Sequence, residues 1–266
     1  MKAQAADFWI NYELTGNPDL PVVVMSHPLG GSLEIWDPQI DALSNQFRIL
    51  RYDTRGHGGT SAPNGPYSMD TLVVDALSLL DDLEVDKVHW VGLSLGGLIG
   101  QGLAIASPER LLSMSLCNTV SCVREDARKM WKVRHQPGQR FNLQDVVDYA
   151  MKLWLTEGYR NTHRKEYEEI RQRFLSTPVH GYTACISAIM HADFTDHLAG
   201  IQIPTLIVAS DQDIATPIEE SKFIYKELQN SNLAVISGAA HLSNVEQSER
   251  FNKILYSFLT TVPGNR

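Results

Sequence analysis

The apolar run Val88-His89-Trp90-Val91-Gly92-Leu93 leads straight into Ser94-Leu95-Gly96-Gly97. It reads as a buried strand that turns through Gly-x-Ser-x-Gly directly into a helix. Few folds accept such a corner. Gly92 and Gly96 flank the serine where a side chain would collide, and Gly97 lets the new helix approach the sheet closely. The residues after the turn, Leu98, Ile99, Leu103, Ala104 and Ile105, are apolar as a packed helix requires. A serine hydroxyl is a weak nucleophile at neutral pH. It gains from a sharp turn only if a base stands beside it and backbone donors stand opposite.

An acid and then a histidine are expected further along, each at the C-terminal end of a later strand. Thr205 to Ser210 reads as a strand running into a loop with Asp211 and Asp213, followed by Thr216-Pro217 and a helix. Asp213, deeper in the loop, is the predicted acid, and Asp211 is expected to tie the loop together. Asn232 to Ser237 reads as the last strand, and His241, just after it, is the predicted base. It would take the proton from Ser94 while Asp213 holds its tautomer. The oxyanion donors are expected from the loop His27-Pro28-Leu29-Gly30-Gly31 and from the residue after the serine. Pro28 has no N–H, which leaves the amides of Leu29 and Leu95.

The rest of the pattern is α/β. Phe8 to Leu14 alternates as a half-buried strand, and Val22 to Ser26 is continuously apolar, as in a sheet covered on both faces. Asp70 to Leu83 places Leu72, Val73, Ala76, Leu79, Leu80 and Leu83 at helical spacing. The expected organisation is a core over residues 1–120 and 197–266, with a helical insertion over 121–196 after the sixth strand. Within that insertion Trp131, Trp154, Phe174, Tyr182 and Met190 are candidates either for lining a pocket or for packing the insertion itself.

With 266 residues, 43% of them hydrophobic, the chain can bury a large core. A net charge of -8 without a long basic run argues against nucleic acid or an anionic membrane as partner. Met1 to Phe8 lacks the apolar core of a secretory signal, and no stretch is long enough to span a bilayer, so the expected location is the cytoplasm. Cys117, Cys122 and Cys185 match no metal spacing and read as reduced thiols. No phosphate-binding loop is present, and neither a metal nor an organic cofactor is expected. The oligomeric state, a homo-oligomer included, is left open.

These stretches together resemble an α/β-hydrolase over nearly the whole length, with Arg51-Tyr52-Asp53-Thr54-Arg55-Gly56-His57-Gly58 adding to the resemblance. Within that superfamily the chain is most similar to the 3-oxoadipate enol-lactonases, on Ile35-Trp36-Asp37-Pro38-Gln39, Leu93 to Leu98, Leu116 to Thr119 and His241-Leu242-Ser243-Asn244-Val245-Glu246. It departs from their usual pattern at His27-Pro28 and at Leu95. The resemblance implies an eight-stranded, mostly parallel sheet with helices on both faces and a helical cap inserted between strands six and seven. It implies a small-molecule ester or lactone as substrate, cleaved through an acyl-enzyme. A free substrate carboxylate would then need a cation, for which Arg134, beside Trp131, is the candidate, with Trp154 as a further substrate contact. Arg55 is expected to pair with Asp53 or another loop carboxylate. The same scaffold also serves carboxylesterases, haloperoxidase-like perhydrolases and ligand receptors that do not turn over, and these stay open.

Overall fold

The computed structural model describes residues 1–5, 8–125, 128–129 and 142–262. Eight strands form one sheet: β1 Lys2–Ala5, β2 Phe8–Thr15, β3 Val22–Ser26, β4 Arg48–Tyr52, β5 Val88–Leu93, β6 Leu111–Cys117, β7 Thr205–Ser210 and β8 Ser231–Ile236. Their spatial order is β1-β2-β4-β3-β5-β6-β7-β8. β1 and β2 join antiparallel, and every pairing from β4 to β8 is parallel. β3, β5 and β7 are buried at every position, which is why they read as unbroken apolar runs.

The helix α1 Asp37–Leu43 precedes β4, and α2 Met69–Asp82 and α3 Leu95–Ala106 flank β5. In α3 every residue from Leu95 to Ala104 is buried, so this helix lies inside the molecule and not along its surface. Between β6 and β7 the chain makes a helical excursion: α4 Leu143–Trp154, α5 Glu157–Thr162, α6 Arg164–Ser176 and α7 Val179–His191. Its two ends meet. Cys122 bridges to Asp193, and the Phe194 amide donates to the Ser121 carbonyl at 3.0 Å. The chain closes with α8 Ile218–Glu227, the short α9 Ser243–Glu246 and α10 Ser248–Thr261. No helix among the described residues is long and apolar enough to cross a membrane.

The Asp53-Thr54-Arg55-Gly56-His57-Gly58 segment after β4 is a brace. Asp53 accepts from Asn11 Nδ2 and from the Leu33 and Gly59 amides, each at 2.8 Å. Arg55 does not pair with Asp53, nor with any loop carboxylate. Its guanidinium makes a two-pronged bond to Asp75 on α2 and stacks over Phe8 and Tyr67, so it joins this loop to a helix. The cause is spatial: Asp53 already has its oxygens filled by neutral donors, whereas Asp75 is buried and needs a cation.

Candidate active site

Parallel strands end on one edge of the sheet, and the candidate residues gather there. Ser94 follows β5 with φ +54° and ψ -110°, a region that residues with side chains rarely occupy. Several contacts hold it. The Ser94 amide donates to the Cys117 carbonyl at 2.9 Å, and Thr119 Oγ1 donates to the Ser94 carbonyl at 2.7 Å. A Cβ on Gly92 would lie 2.1 Å from the Gly96 carbonyl oxygen, and one on Gly96 would lie 2.2 Å from the Ser26 carbonyl oxygen. Trp90 Nε1 donates to the same Gly96 carbonyl at 2.9 Å, so the corner is pinned from below as well.

Asp213, beyond β7, and His241, beyond β8, are brought together: His241 Nδ1 lies 2.8 Å from Asp213 Oδ2. Both are buried. Burial alone would raise the Asp213 carboxyl, but the His241 imidazole and the Thr216 donors outweigh it and hold the group below the ordinary carboxylate range. An ionised carboxylate only accepts, so His241 Nδ1 carries the hydrogen, the tautomer in which Nε2 of a neutral imidazole is the acceptor. Oδ2 also accepts from Asn118 Nδ2 at 2.8 Å and Thr216 Oγ1 at 2.6 Å, and Oδ1 from the amides of Ala215 at 2.8 Å and Thr216 at 3.0 Å. Ser243 Oγ in turn donates to Asn118 Oδ1 at 2.8 Å. Asp211 is used differently, accepting from the Gly238 amide at 2.8 Å and so tying the two loops.

Opposite stands the loop after β3. His27 Nδ1 donates to the Pro28 carbonyl at 2.8 Å, and its Nε2 accepts from the Thr54 amide at 2.9 Å. His57 Nε2 accepts from the Gly30 amide at 2.9 Å. Both imidazoles are fully buried, and desolvation lowers His27 to about 4 and His57, with His27 beside it, to about 3. They are therefore neutral acceptors of backbone N–H groups. His57 occupies the Gly30 N–H, while Leu29 lines the cavity.

A cavity of about 420 Å³ opens here. Ser94, His241, Leu29 and Leu95 all line it, with an apolar wall from Val146, Ala150, Leu153 and Trp154 of α4. The α/β-hydrolase-fold family matches residues 21–248 of the chain. The chain belongs to the α/β-hydrolase family. Among curated relatives of this hydrolase, 3-oxoadipate enol-lactonase 2 of Acinetobacter baylyi is 35% identical over 93% of this chain and 92% of its own. The candidate carbamate hydrolase RutD of Stutzerimonas stutzeri is 31% identical over 96% of this chain and 98% of its own. Among solved structures, the enol-lactonase from Burkholderia xenovorans LB400 superposes with a TM-score of 0.92 at 31% identity, covering 98% of this chain and 100% of the other.

In this α/β-hydrolase Phe174 and Tyr182 line the cavity with Trp154, whereas Met190 does not and its neighbour Ile189 does. Trp131 and Arg134 lie outside the described residues. The cationic side chain among the described lining residues is Arg124, whose Nε sits 2.6 Å from Glu220 Oε1 on α8. Sequence reading missed it because the pairing partner is far along the chain. It also missed Asn118 and Thr119, which the rule that found Asp213 would have found: both follow the C-terminal end of a parallel strand. Among the described residues no group of three or more His, Cys, Asp or Glu is placed to hold a metal ion.

Proposed function

We propose that this hydrolase cleaves a carboxylic ester or lactone through an acyl-enzyme on Ser94. The observation that carries the reading is Ser94 in a strained left-handed turn, in one cavity with a His241 already hydrogen-bonded to Asp213. Ser94 Oγ attacks the carbonyl carbon as His241 Nε2 takes its proton. The carbonyl oxygen becomes an oxyanion facing the Leu29 and Leu95 amides. Collapse breaks the bond to the leaving oxygen, which takes the proton from His241. Water, deprotonated by His241, then releases the acid and restores Ser94. Asp213 stays ionised throughout and stabilises the imidazolium.

The substrate we propose is 3-oxoadipate enol-lactone, on the strength of the enol-lactonase relatives and the apolar cavity with one charged corner. In an enol-lactone the leaving group stays tethered and departs as an enol that becomes a ketone, so it needs less help from a general acid than an alkoxide does. Arg124 is the described lining cation that a substrate carboxylate would meet, and Glu220, already paired with it, would compete for it. The test is steady-state hydrolysis of 3-oxoadipate enol-lactone, 4-nitrophenyl acetate and an aryl carbamate by wild type and Ser94→Ala. The expected result is a kcat/KM about a hundredfold higher for the lactone, a preference of roughly 2.7 kcal/mol, abolished in Ser94→Ala. Preference for the neutral ester or the carbamate overturns the substrate. Full turnover by Ser94→Ala overturns the mechanism, and binding without turnover makes the protein a receptor.

A further inference from the structure

Glu246 ends α9, five residues after His241, and the mechanism above gives it no part. It is half-buried, and each carboxylate oxygen is engaged by a different region. Oε1 accepts from the Ala240 amide at 2.7 Å, on the residue just before the imidazole. Oε2 accepts from the Thr156 amide at 3.0 Å and from Thr156 Oγ1 at 2.6 Å. Thr156 caps α5, its hydroxyl also accepting from the Tyr159 amide at 3.2 Å. Burial pushes the Glu246 carboxyl up, and the Thr156 and Ala240 donors oppose that rise.

The backbone around His241 is thus tied from two sides. Before it, the Gly238 amide is held by Asp211 and the Ala239 carbonyl accepts from the Gln212 amide at 3.1 Å, both on the Asp213 loop. At its immediate flanks the ties go elsewhere: Ala240 to Glu246, and the Leu242 amide to the Trp154 carbonyl at 2.9 Å. Trp154 is a wall of the cavity, two residues before Thr156. The excursion over the cavity and the histidine loop therefore share one joint.

The geometry points to Glu246 as a positioning residue that fixes His241 by fastening its loop to Thr156 and, through residues 154–156, to the cavity wall. The inference rests on the reading of His241 as the base. A base displaced by about 1 Å loses on the order of a hundredfold in rate, while a substrate held by the cavity wall loses less in binding. Removing the joint therefore acts on kcat more than on KM.

The experiment compares Glu246→Ala, Glu246→Gln and Thr156→Val with wild type on 4-nitrophenyl acetate, or on whichever substrate is turned over. The low-field proton resonance of His241 Nδ1–H is recorded for each, assigned by its loss in His241→Ala. Expected for Glu246→Ala is a kcat lowered about tenfold or more, a KM within about threefold of wild type, and a broadened or shifted resonance. Glu246→Gln keeps one acceptor but turns an amide donor toward donors, and is expected between the two. Thr156→Val loses only the hydroxyl and shows the smallest loss. A wild-type kcat in Glu246→Gln and Thr156→Val, or a lowered kcat with the resonance unmoved, overturns the inference. Turnover retained by His241→Ala would instead overturn the reading of the base and leave Glu246 without an imidazole to position.

Discussion

At the Ser94 corner, single atoms decide what is allowed. The atoms that a Gly92 Cβ would meet belong to the backbone of Gly96 and Gly97, which cannot turn aside as a side chain can. Gly92→Ala is therefore expected to cost roughly 3 kcal/mol or more, or to yield no folded protein. Gly200 is the control: nothing lies within 4 Å of a Cβ placed there, and Gly200→Ala is expected to stay within about 0.5 kcal/mol of wild type. Chemical denaturation of the pair measures both. The placement of Ser94, Asp213 and His241 along one edge was legible in the sequence because a parallel sheet delivers its strand ends there, and each lies just past a recognisable strand. The pairing of Arg124 with Glu220, and of Arg55 with Asp75, was not legible. Opposite charges along a chain have many combinations, and packing alone selects one.

Elements meet across the cavity where α6 faces the loop after β3. Phe174 is fully buried, pairs edge-on with Trp154 at 5.5 Å and with Tyr182 at 5.6 Å, and leaves room at Gly30 for no side chain: a Cβ there would lie 2.6 Å from its ring. Phe174→Ala is expected to cost about 3 kcal/mol. Gly30→Ala is expected to be better tolerated once Phe174 is gone, because the two shortest contacts then vanish and the strain of φ +78° and a Tyr182 ring atom at 3.2 Å remain. A double-mutant cycle of the two by equilibrium unfolding is expected to give a coupling of about 1 kcal/mol or more, whereas additivity would mean that loop and helix do not press on each other. At this scale the sequence was most readable in the long apolar runs and helical periodicities. β1 went unread since four residues, Lys2 to Ala5, carry too little alternation to stand out, and an antiparallel edge strand needs no apolar run.

The whole molecule carries a proton ledger in His27 and His57. Unfolded, each takes up a proton as pH falls below about 6.5, and folded, burial delays this to about 4 and about 3. Their contribution to stability is complete above about pH 6.5 and is lost as pH falls toward the folded values. The melting temperature is expected to hold level above neutrality and to decline through that window. His57→Gln, which can still accept the Gly30 N–H, is expected to show a shallower decline, and an unchanged slope would mean that His57 does not stay neutral when folded. The meeting of Cys122 with Asp193 has a different reach. Seen from the sheet, the helices from Leu143 to His191 are reached and left through a neck about as wide as the spacing of two neighbouring strands, roughly 5 Å between Cα atoms. Excised, they would leave ends already abreast, which a short turn could join. Ser94 and His241 thus stand on the sheet side of this neck and Trp154 and Phe174 beyond it, so a chain closed by such a turn would keep the strand ends and lose both the aromatic wall and the Thr156 tie to the histidine loop.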